Sequence, residues 1–502
     1  MKIKTVLLIL LVLLLAAAAV MGYMAYQKQQ EEAARQAEIA AFYAVPDVTM
    51  VVTPDTIGEL NRYTNLKNVD LSGSTCYPEI LNFIAAYPKV NVTYTVDLGG
   101  TTVPNNTTTL ELVADSFDYE MLNQHLQYLP DITRITFPAT DLSYDQINDM
   151  RAAFPNVDVC YTVSFLDQEL EEGVTELNLS AMDPTQLDAL VSAMDLLPVL
   201  SSLELMDENG GSTFGLTDVK TLMDTCPDLD IHYTFDFYGQ TLSTTTERVE
   251  LQRAEIGNEG EALIRQALDI MPNCTYMKLD DCGVESTVMA SIRDDYPNTK
   301  VVWRIFFGKF NCLTDAEMLR LTNGLKDSMV GELIYCTDVK YLDVGHNEPL
   351  TDISFIKYMP KLEICILSGS LVEDLSAFEN HPSIEFLEMC FCGVVADLNP
   401  LSNCPNLKYL NISYTAVKDI TCLYNVPLER FCCMQVKVPD NQKNEFDKRH
   451  PDAVIRYKGT QCYGYAWRYV DDGITFWDYY ANMRVIFMYD NAGYVSGKEY
   501  TR

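Results

Sequence analysis

The sequence predicts an α/β solenoid of short parallel strands, with a transmembrane helix at its amino end and a capping domain at its carboxyl end. Three observations predict it. Residues 5 to 26 contain no charged side chain. Four proline-then-strand segments recur 67, 72 and 70 residues apart ahead of residue 305. Apolar positions then recur every 21 to 23 residues from Val339 to Leu428. A strand followed by a tight turn cannot bury its own apolar edge, whereas stacked copies bury one another's.

The amino end reads as an anchor. Lys2 and Lys4 precede an uncharged run of 22 residues from Thr5 to Tyr26. At about 1.5 Å per residue such a run covers a hydrocarbon core of about 30 Å. Tyr23 and Tyr26 stand where interfacial aromatics belong, and the lysines hold residues 1 to 4 on the cytoplasmic side. A cleaved signal peptide is the other reading, since Ala16 to Ala19 offer small residues for cleavage. The run is longer than the usual signal core of about 7–15 residues, which favours retention. No cysteine precedes Cys76, so a lipoprotein anchor is excluded. Residues 27 to 45 are strong helix formers of mixed charge ended by Pro46, a short helical stalk.

Residues 46 to 305 carry a degenerate repeat. Tyr87-Pro88, Phe154-Pro155, Cys226-Pro227 and Tyr296-Pro297 each close a helical segment and precede a strand, at 90–96, 157–163, 229–235 and 301–305. Shorter strands are expected between them at 110–112, 132–137, 177–179 and 203–205, with helices at 121–126 and 187–197. Each unit thus holds three strands and two helices, with a hairpin where the Tyr94-Thr95-Val96 strand runs on. Residues 306 to 338 bridge to the next array.

That array occupies residues 339 to 438. Its heads are Val339, Leu362, Ile384, Leu407 and Leu428, and apolar residues follow at the fourth and sixth positions of each. Leu342/Val344, Cys365/Leu367, Leu387/Met389, Leu410/Ile412 and Phe431/Cys433 are the pairs, a period-2 pattern with one buried face. Asp352, Asp374, Asp397 and Asp419 mark the turns that follow. On these residues the run from Val339 to Val438 resembles the 22-residue repeat of internalin-like bacterial leucine-rich-repeat proteins. The longer units upstream resemble a helix-containing variant of the same repeat. The family's ladder position, usually Asn, is here Asn347, Ser370, Cys392, Thr415 and Val436. The first four can hydrogen-bond along the ladder and Val436 cannot, which places the end of the array there. The resemblance implies a leucine-rich-repeat solenoid that binds rather than catalyses.

Residues 439 to 502 are aromatic, with Tyr457, Tyr463, Tyr465, Trp467, Tyr469, Phe476, Trp477, Tyr479 and Tyr480. A solenoid needs a cover over its last apolar edge, so this tail is expected to be a cap. An aromatic carbohydrate-binding face is the sharper alternative.

Composition narrows the function. Thirty-six basic against 71 acidic residues give a net charge of −35, which repels nucleic acid and anionic lipid headgroups. The fifteen cysteines contain no C-x-x-C pair, and buried structural thiols are expected rather than a metal site. His125, His232, His346, His381 and His450 are scattered, and no phosphate loop, nucleophile elbow or zinc helix occurs. Asp207-Glu208-Asn209-Gly210-Gly211 lacks the late bidentate Glu of a calcium loop and reads as an acidic turn. No cofactor, no metal and no enzyme activity are expected.

What remains is surface. In repeats of the resembling type the third and fifth positions point off the concave sheet. The third column reads Tyr341, Ile364, Phe386, Tyr409 and Arg430, and the fifth reads Asp343, Ile366, Glu388, Asn411 and Cys432. With strands about 4.8 Å apart these columns form one aromatic-apolar strip edged by carboxylates. Tyr341, Asp343, Ile364, Ile366, Phe386, Glu388, Tyr409, Asn411 and Arg430 are therefore the candidate ligand-binding residues, since such strips commonly mark contact sites. The alternative is that these rings pack on one another or under the cap. The expected role is adhesion to, or recognition of, a protein or glycan outside the cytoplasm. A scaffold of a cell-envelope complex is the first rival, and a glycan-acting enzyme in the aromatic tail the second.

Overall fold

The computed structural model describes residues 2–166, 168–463 and 467–500. Met1, Asp167, Gly464, Tyr465, Ala466, Thr501 and Arg502 lie outside the described residues, Tyr465 of the aromatic tail among them. The chain divides into two compact units, residues 1–204 with 228–230 and residues 205–227 with 231–502.

One helix, Lys2–Phe42, takes in both the expected span and most of the expected stalk. It is long and apolar enough to cross a membrane, and none of its apolar stretch is buried by the protein. Leu10 and Leu14, for example, are more than half exposed. Ahead of Pro46 the helix has already ended, as a proline demands of the residues before it.

The first unit holds two complete copies of the expected repeat and the start of a third. Strands Asp47–Thr49, Asn68–Asp70 and Asn91–Thr93 pair in parallel, and a hairpin of Thr95–Asp97 with Thr102–Pro104 follows. Strands Thr109–Glu111, Arg134–Pro138 and Asp158–Phe165 repeat the arrangement, the last turning back antiparallel onto Gln168–Glu171. Glu176–Asn178 and Ser202–Glu204 pair likewise. The second unit contains the hairpin Thr234–Phe237 with Gln240–Ser243, then a further copy on Arg248–Gln252, Tyr276–Asp280, Lys300–Phe307 and Phe310–Leu313. Tyr238 and Gly239 both take positive φ at 51° and 84°, the paired left-handed turn that suits a two-residue hairpin.

The recurring prolines have a common mechanism. Tyr87, Phe154, Cys226 and Tyr296 end their helices with ψ of 65°, 65°, 63° and 66°, out of the helical region. The ring of the next residue forbids the helical conformation before it, so the chain leaves each helix at a set angle and enters the strand. Central strand residues such as Val69, Ile135, Leu177, Val249 and Met277 fill the cores.

The C-terminal array is wider than residues 339 to 438. Seven strands pair in parallel, in order: Met318–Arg320, Tyr341–Asp343, Ile364–Ile366, Phe386–Glu388, Tyr409–Asn411, Arg430–Cys432 and Val454–Arg456. The first lies in the expected bridge and the last in the expected cap. Val436 does end the hydrogen-bonding ladder, but the sheet continues because helix Asp440–Arg449 replaces the usual turn and returns the chain into register. His450 before Pro451 leaves that helix at ψ 61°, the same proline device as upstream.

Behind the strands, Leu342, Cys365, Leu387, Leu410 and Phe431 are wholly buried. The acids that flank the turns are capping groups. Asp352, Asp374, Asp397 and Asp419 each accept from the backbone N–H two residues on, at 2.7 to 2.9 Å, and start the short helical turns of the far side. Asn347 accepts from the N–H groups of Gly324 and Leu325 and donates to the carbonyls of Leu321 and Val344, tying neighbouring turns together. The C-terminal array is a leucine-rich-repeat solenoid.

Candidate functional site

The nine candidate residues do lie together, on the strand face opposite the capped turns. Strand register sets Tyr341, Ile364, Phe386, Tyr409 and Arg430 on successive strands, with Asp343, Ile366, Glu388 and Asn411 beside them. They do not meet solvent as a strip. Phe386 and Asn411 are 0% exposed, Glu388 1% and Asp343 4%, with Ile364 and Ile366 also buried. Tyr341, Tyr409 and Arg430 are half-buried.

Their cover is the chain's own carboxyl-terminal segment. Cys462, Trp467, Tyr480, Met483 and Phe487 join Ile364, Ile366 and Phe386 in one buried cluster, with Trp477 and Tyr479 packed against it. Helix Asp478–Ile486 supplies Tyr480 and Met483. The Phe386 ring stacks on Tyr479 at 5.8 Å and meets Trp467 at 5.2 Å. Tyr409 meets Trp477 and Tyr479 at 4.9 and 4.6 Å, and the Arg430 guanidinium sits 4.4 Å over the Trp477 ring.

Polar groups fix the register of this cover. Trp467 Nε1 donates to Glu388, whose other oxygen accepts from the Ser368 hydroxyl at 3.0 Å and faces Arg468 at 3.5 Å. Tyr489 donates to Asp343 at 2.7 Å, and Asn411 donates to the Cys462 carbonyl at 3.0 Å. Tyr479 donates to Glu385 at 3.1 Å. Further on, Ser496 exchanges two bonds with Arg320 of the first strand, at 2.9 and 3.0 Å. Residues 462–463 and 467–496 thus lie across the strands instead of closing only the last edge. The tail's Trp467 and Tyr480 rings, candidates for a carbohydrate face, are turned inward onto the array.

Burial dominates the electrostatics. It raises the Asp343 carboxyl above its ordinary value, against the lowering effect of the Tyr489 and Gly345 hydrogen bonds. Burial, with Asp343 beside it, pushes the Tyr489 hydroxyl well up. The Arg430 guanidinium is lowered by burial and by neighbouring Arg456. All fifteen cysteines are free thiols, thirteen of them buried. Burial pushes Cys432 up to about 11 and Cys433 up to about 12, so both remain thiols at neutral pH. Among the described residues no group of three or more His, Cys, Asp or Glu is placed to hold a metal ion.

Of the covering residues, Trp467, Tyr479 and Tyr480 stood in the expected cap, and the packing of the strip beneath it was the alternative that the structure favours; Arg468 and Tyr489 are those that sequence reasoning did not single out. The density of rings in the tail was readable, whereas their destination depends on contacts made 79 to 146 residues away.

No family model and no curated protein matches the chain. Among solved structures, internalin InlF of Listeria monocytogenes is 14% identical, with 85% of this chain and 84% of that chain covered and a TM-score of 0.27. Internalin C2 of the same organism is 13% identical over 48% of this chain and 85% of that chain, with a TM-score of 0.24. A leucine-rich-repeat protein of Leptospira interrogans is 14% identical over 81% of this chain and 93% of that chain, with a TM-score of 0.26. The repeat architecture described above rests on this chain's own strand register.

Proposed function

We propose that the chain is a membrane-tethered recognition protein that works outside the cytoplasm, binds a protein or a glycan, and catalyses no reaction. The observation that carries the reading is the concave strip itself. Its aromatic and carboxylate residues hold a segment of polypeptide, the helix Asp478–Ile486 included, by ring stacking and hydrogen bonds, the contacts that recognition of a foreign chain needs. In this reading the Lys2–Phe42 helix anchors the protein with residues 1 to 4 inside and residues 27–502 outside, or the protein is released if the helix is cleaved. Adhesion to another surface is the specific role.

Screening cells that display the full chain against soluble proteins and a glycan array tests this. Saturable binding that is lost on removing residues 205–502 supports it. Binding that persists without them would assign recognition elsewhere. A scaffold within a cell-envelope complex is the second reading, favoured by the occupation of the concave strip by the chain's own tail. In that case mild crosslinking of intact cells yields envelope proteins and the array screens yield nothing.

A further inference from the structure

Cys312 and Cys336 of the second unit stand sulfur to sulfur, their Sγ atoms 3.7 Å apart. Cys312 lies in strand Phe310–Leu313, which pairs antiparallel with Lys300–Phe307 and sets it opposite Ile305. Cys336 closes the short helical segment Asp327–Tyr335, where its ψ of 64° turns the chain away. Its N–H donates to the Leu333 carbonyl, so hydrogen bonds fix the backbone on both sides of the contact.

Several other buried thiols are spent on local partners. Cys392 and Cys404 donate to the carbonyls of Leu367 and Phe378 at 3.3 and 3.2 Å. Cys282 donates to the Leu251 and Asp280 carbonyls at 3.8 and 3.6 Å, and Cys432 accepts from Ser413 at 3.3 Å. Among the described residues the thiols of Cys312 and Cys336 have no hydrogen-bond partner but each other. They are 6% and 0% exposed. Sulfur is a weak donor and a weak acceptor, so this contact contributes little as it stands. A disulfide needs about 2.05 Å between its sulfurs, and rotation about χ1 is the motion that closes the gap.

We propose that Cys312 and Cys336 are a redox pair, oxidised to a disulfide by exchange with a small disulfide of the glutathione class. Cys312, the more exposed of the two, gives up its proton and attacks one sulfur of the small disulfide, whose S–S bond breaks. One small thiolate leaves. Cys336 then gives up its proton and attacks the Cys312 sulfur of the mixed disulfide, releasing the second small thiolate. Two protein thiols are oxidised, one small disulfide is reduced to two thiols, and both protons pass to the thiolates released. The hydrogen bond with Cys312, and then burial, hold the Cys336 thiol well above its usual value, so attack begins at Cys312.

The bond joins positions 24 apart in the chain. Between them lies Met318–Arg320, the first of the seven parallel strands. Its repeat has no ladder side chain of its own, since Gly324 stands where the next has Asn347. Closing a loop removes conformational freedom from the unfolded chain, so the bond staples this first repeat to the hairpin ahead of it. The pair acts on stability and is independent of what the chain recognises.

Peptide mapping of the full chain in detergent tests it, after incubation with glutathione disulfide in buffer and in urea below the unfolding midpoint. The urea arm opens the core, so that access does not limit exchange. Remaining thiols are alkylated before digestion and mass spectrometry. The Cys312 and Cys336 peptides should be recovered linked, in about tenfold excess over any other cysteine pair, because thiols out of contact need backbone movement to bridge. The urea midpoint should rise as the link forms and fall back with dithiothreitol. Cys336→Ala should lose both the link and the rise. Should it fail to fold, Cys312→Ala serves in its place, and mapping of the parent chain needs no variant. Recovery of both cysteines as alkylated thiols in both arms overturns the proposal, as does linkage of either one to a different cysteine. A linked chain whose midpoint does not rise overturns the stapling role.

Discussion

Trp467 Nε1 donates to Glu388 Oε2 across 2.5 Å, joining the tail to the fourth strand of the array 79 residues earlier. The bond sits on a carboxylate that is 1% exposed. Removing one partner of a buried, bonded charge costs about 3–5 kcal/mol, because the other partner is left stranded. Glu388→Ala strands Arg468 and the indole, and should lower unfolding stability toward that range. Glu388→Gln keeps the shape and an acceptor, and should cost about 1–2 kcal/mol. Urea unfolding followed by tryptophan fluorescence checks both. An Ala variant within about 0.5 kcal/mol of the parent would mean that the tail is not docked there.

Leu410 tests the register of the array. It is 0% exposed and stands between Leu387 and Phe431 of the adjacent strands. Leu410→Ala should destabilise the array by roughly 2–5 kcal/mol, since neighbouring turns share the cavity it leaves. A nearest-neighbour stack feels such a loss mostly within itself. Thermal unfolding read from array amides is the measurement, and an unchanged midpoint would refute the register.

Asp343 makes an opposite pH prediction from the acids that cap the turns. Burial raises its carboxyl above 3.8, so its folded form binds the proton more tightly than the unfolded chain does. Its contribution to stability is therefore full below 3.8 and is lost as pH rises through the raised value. Asp374 and Asp419 are lowered by hydrogen bonds from Ser376 and Thr421, so their contribution is present above 3.8 and fades as pH falls through the lowered value. Asp343→Asn cannot ionise. Relative to the parent it should gain stability as pH rises above 3.8, and the gain should level off once the raised value is passed. Parallel unfolding curves of the two proteins, with a gap independent of pH, would contradict this.

The fold was legible where the signal is local. Prolines 88, 155, 227 and 297 act on the residue before them, and Asp352, Asp374, Asp397 and Asp419 act on the N–H two residues ahead, so both could be read from neighbours alone. The same proline rule at His450-Pro451 would have extended the array, but the charged helix Asp440–Arg449 has no counterpart in the preceding short turns. Met318–Arg320 was hidden because the head of its repeat is Ala316 and its ladder position is Gly324, which lack the large apolar and hydrogen-bonding side chains of Val339 and Asn347. The candidate columns were placed correctly relative to one another, since register alone fixes them. Their covering was legible only as one of two alternatives: an aromatic-rich tail packs as well on an outside ligand as on its own array, and nothing local distinguishes the two.

The anchor makes a prediction of orientation. If the Lys2–Phe42 helix anchors the chain in the proposed orientation, protease added to intact cells should degrade the chain from residue 46 onward. Immunoblotting against the array before and after lysis reads the result. Protection in intact cells, with cleavage only after lysis, would reverse the orientation.

The last prediction separates the concave strip from its cover as the binding surface. Phe386 and Tyr409 stack against Trp467, Trp477 and Tyr479, so any outside ligand that uses the strip competes with the tail. Deleting residues 462–502 removes the competitor and leaves the seven strands paired. If the strip is the binding surface, the deletion should tighten binding of a ligand found by screening, because the tail's free energy of docking no longer opposes it. Phe386→Ala with Tyr409→Ala in that truncated chain should then weaken binding by about 2 kcal/mol or more, as loss of central aromatic anchors does. If the tail is the binding surface, the deletion should abolish binding outright, and Phe386→Ala in the full chain should act only through stability. The truncation will also expose Ile364 and Ile366, so stability and aggregation must be measured beside affinity. Tighter binding on truncation and weaker binding on the aromatic substitutions together assign recognition to the strip, whereas loss of binding on truncation of a folded chain assigns it to residues 462–502.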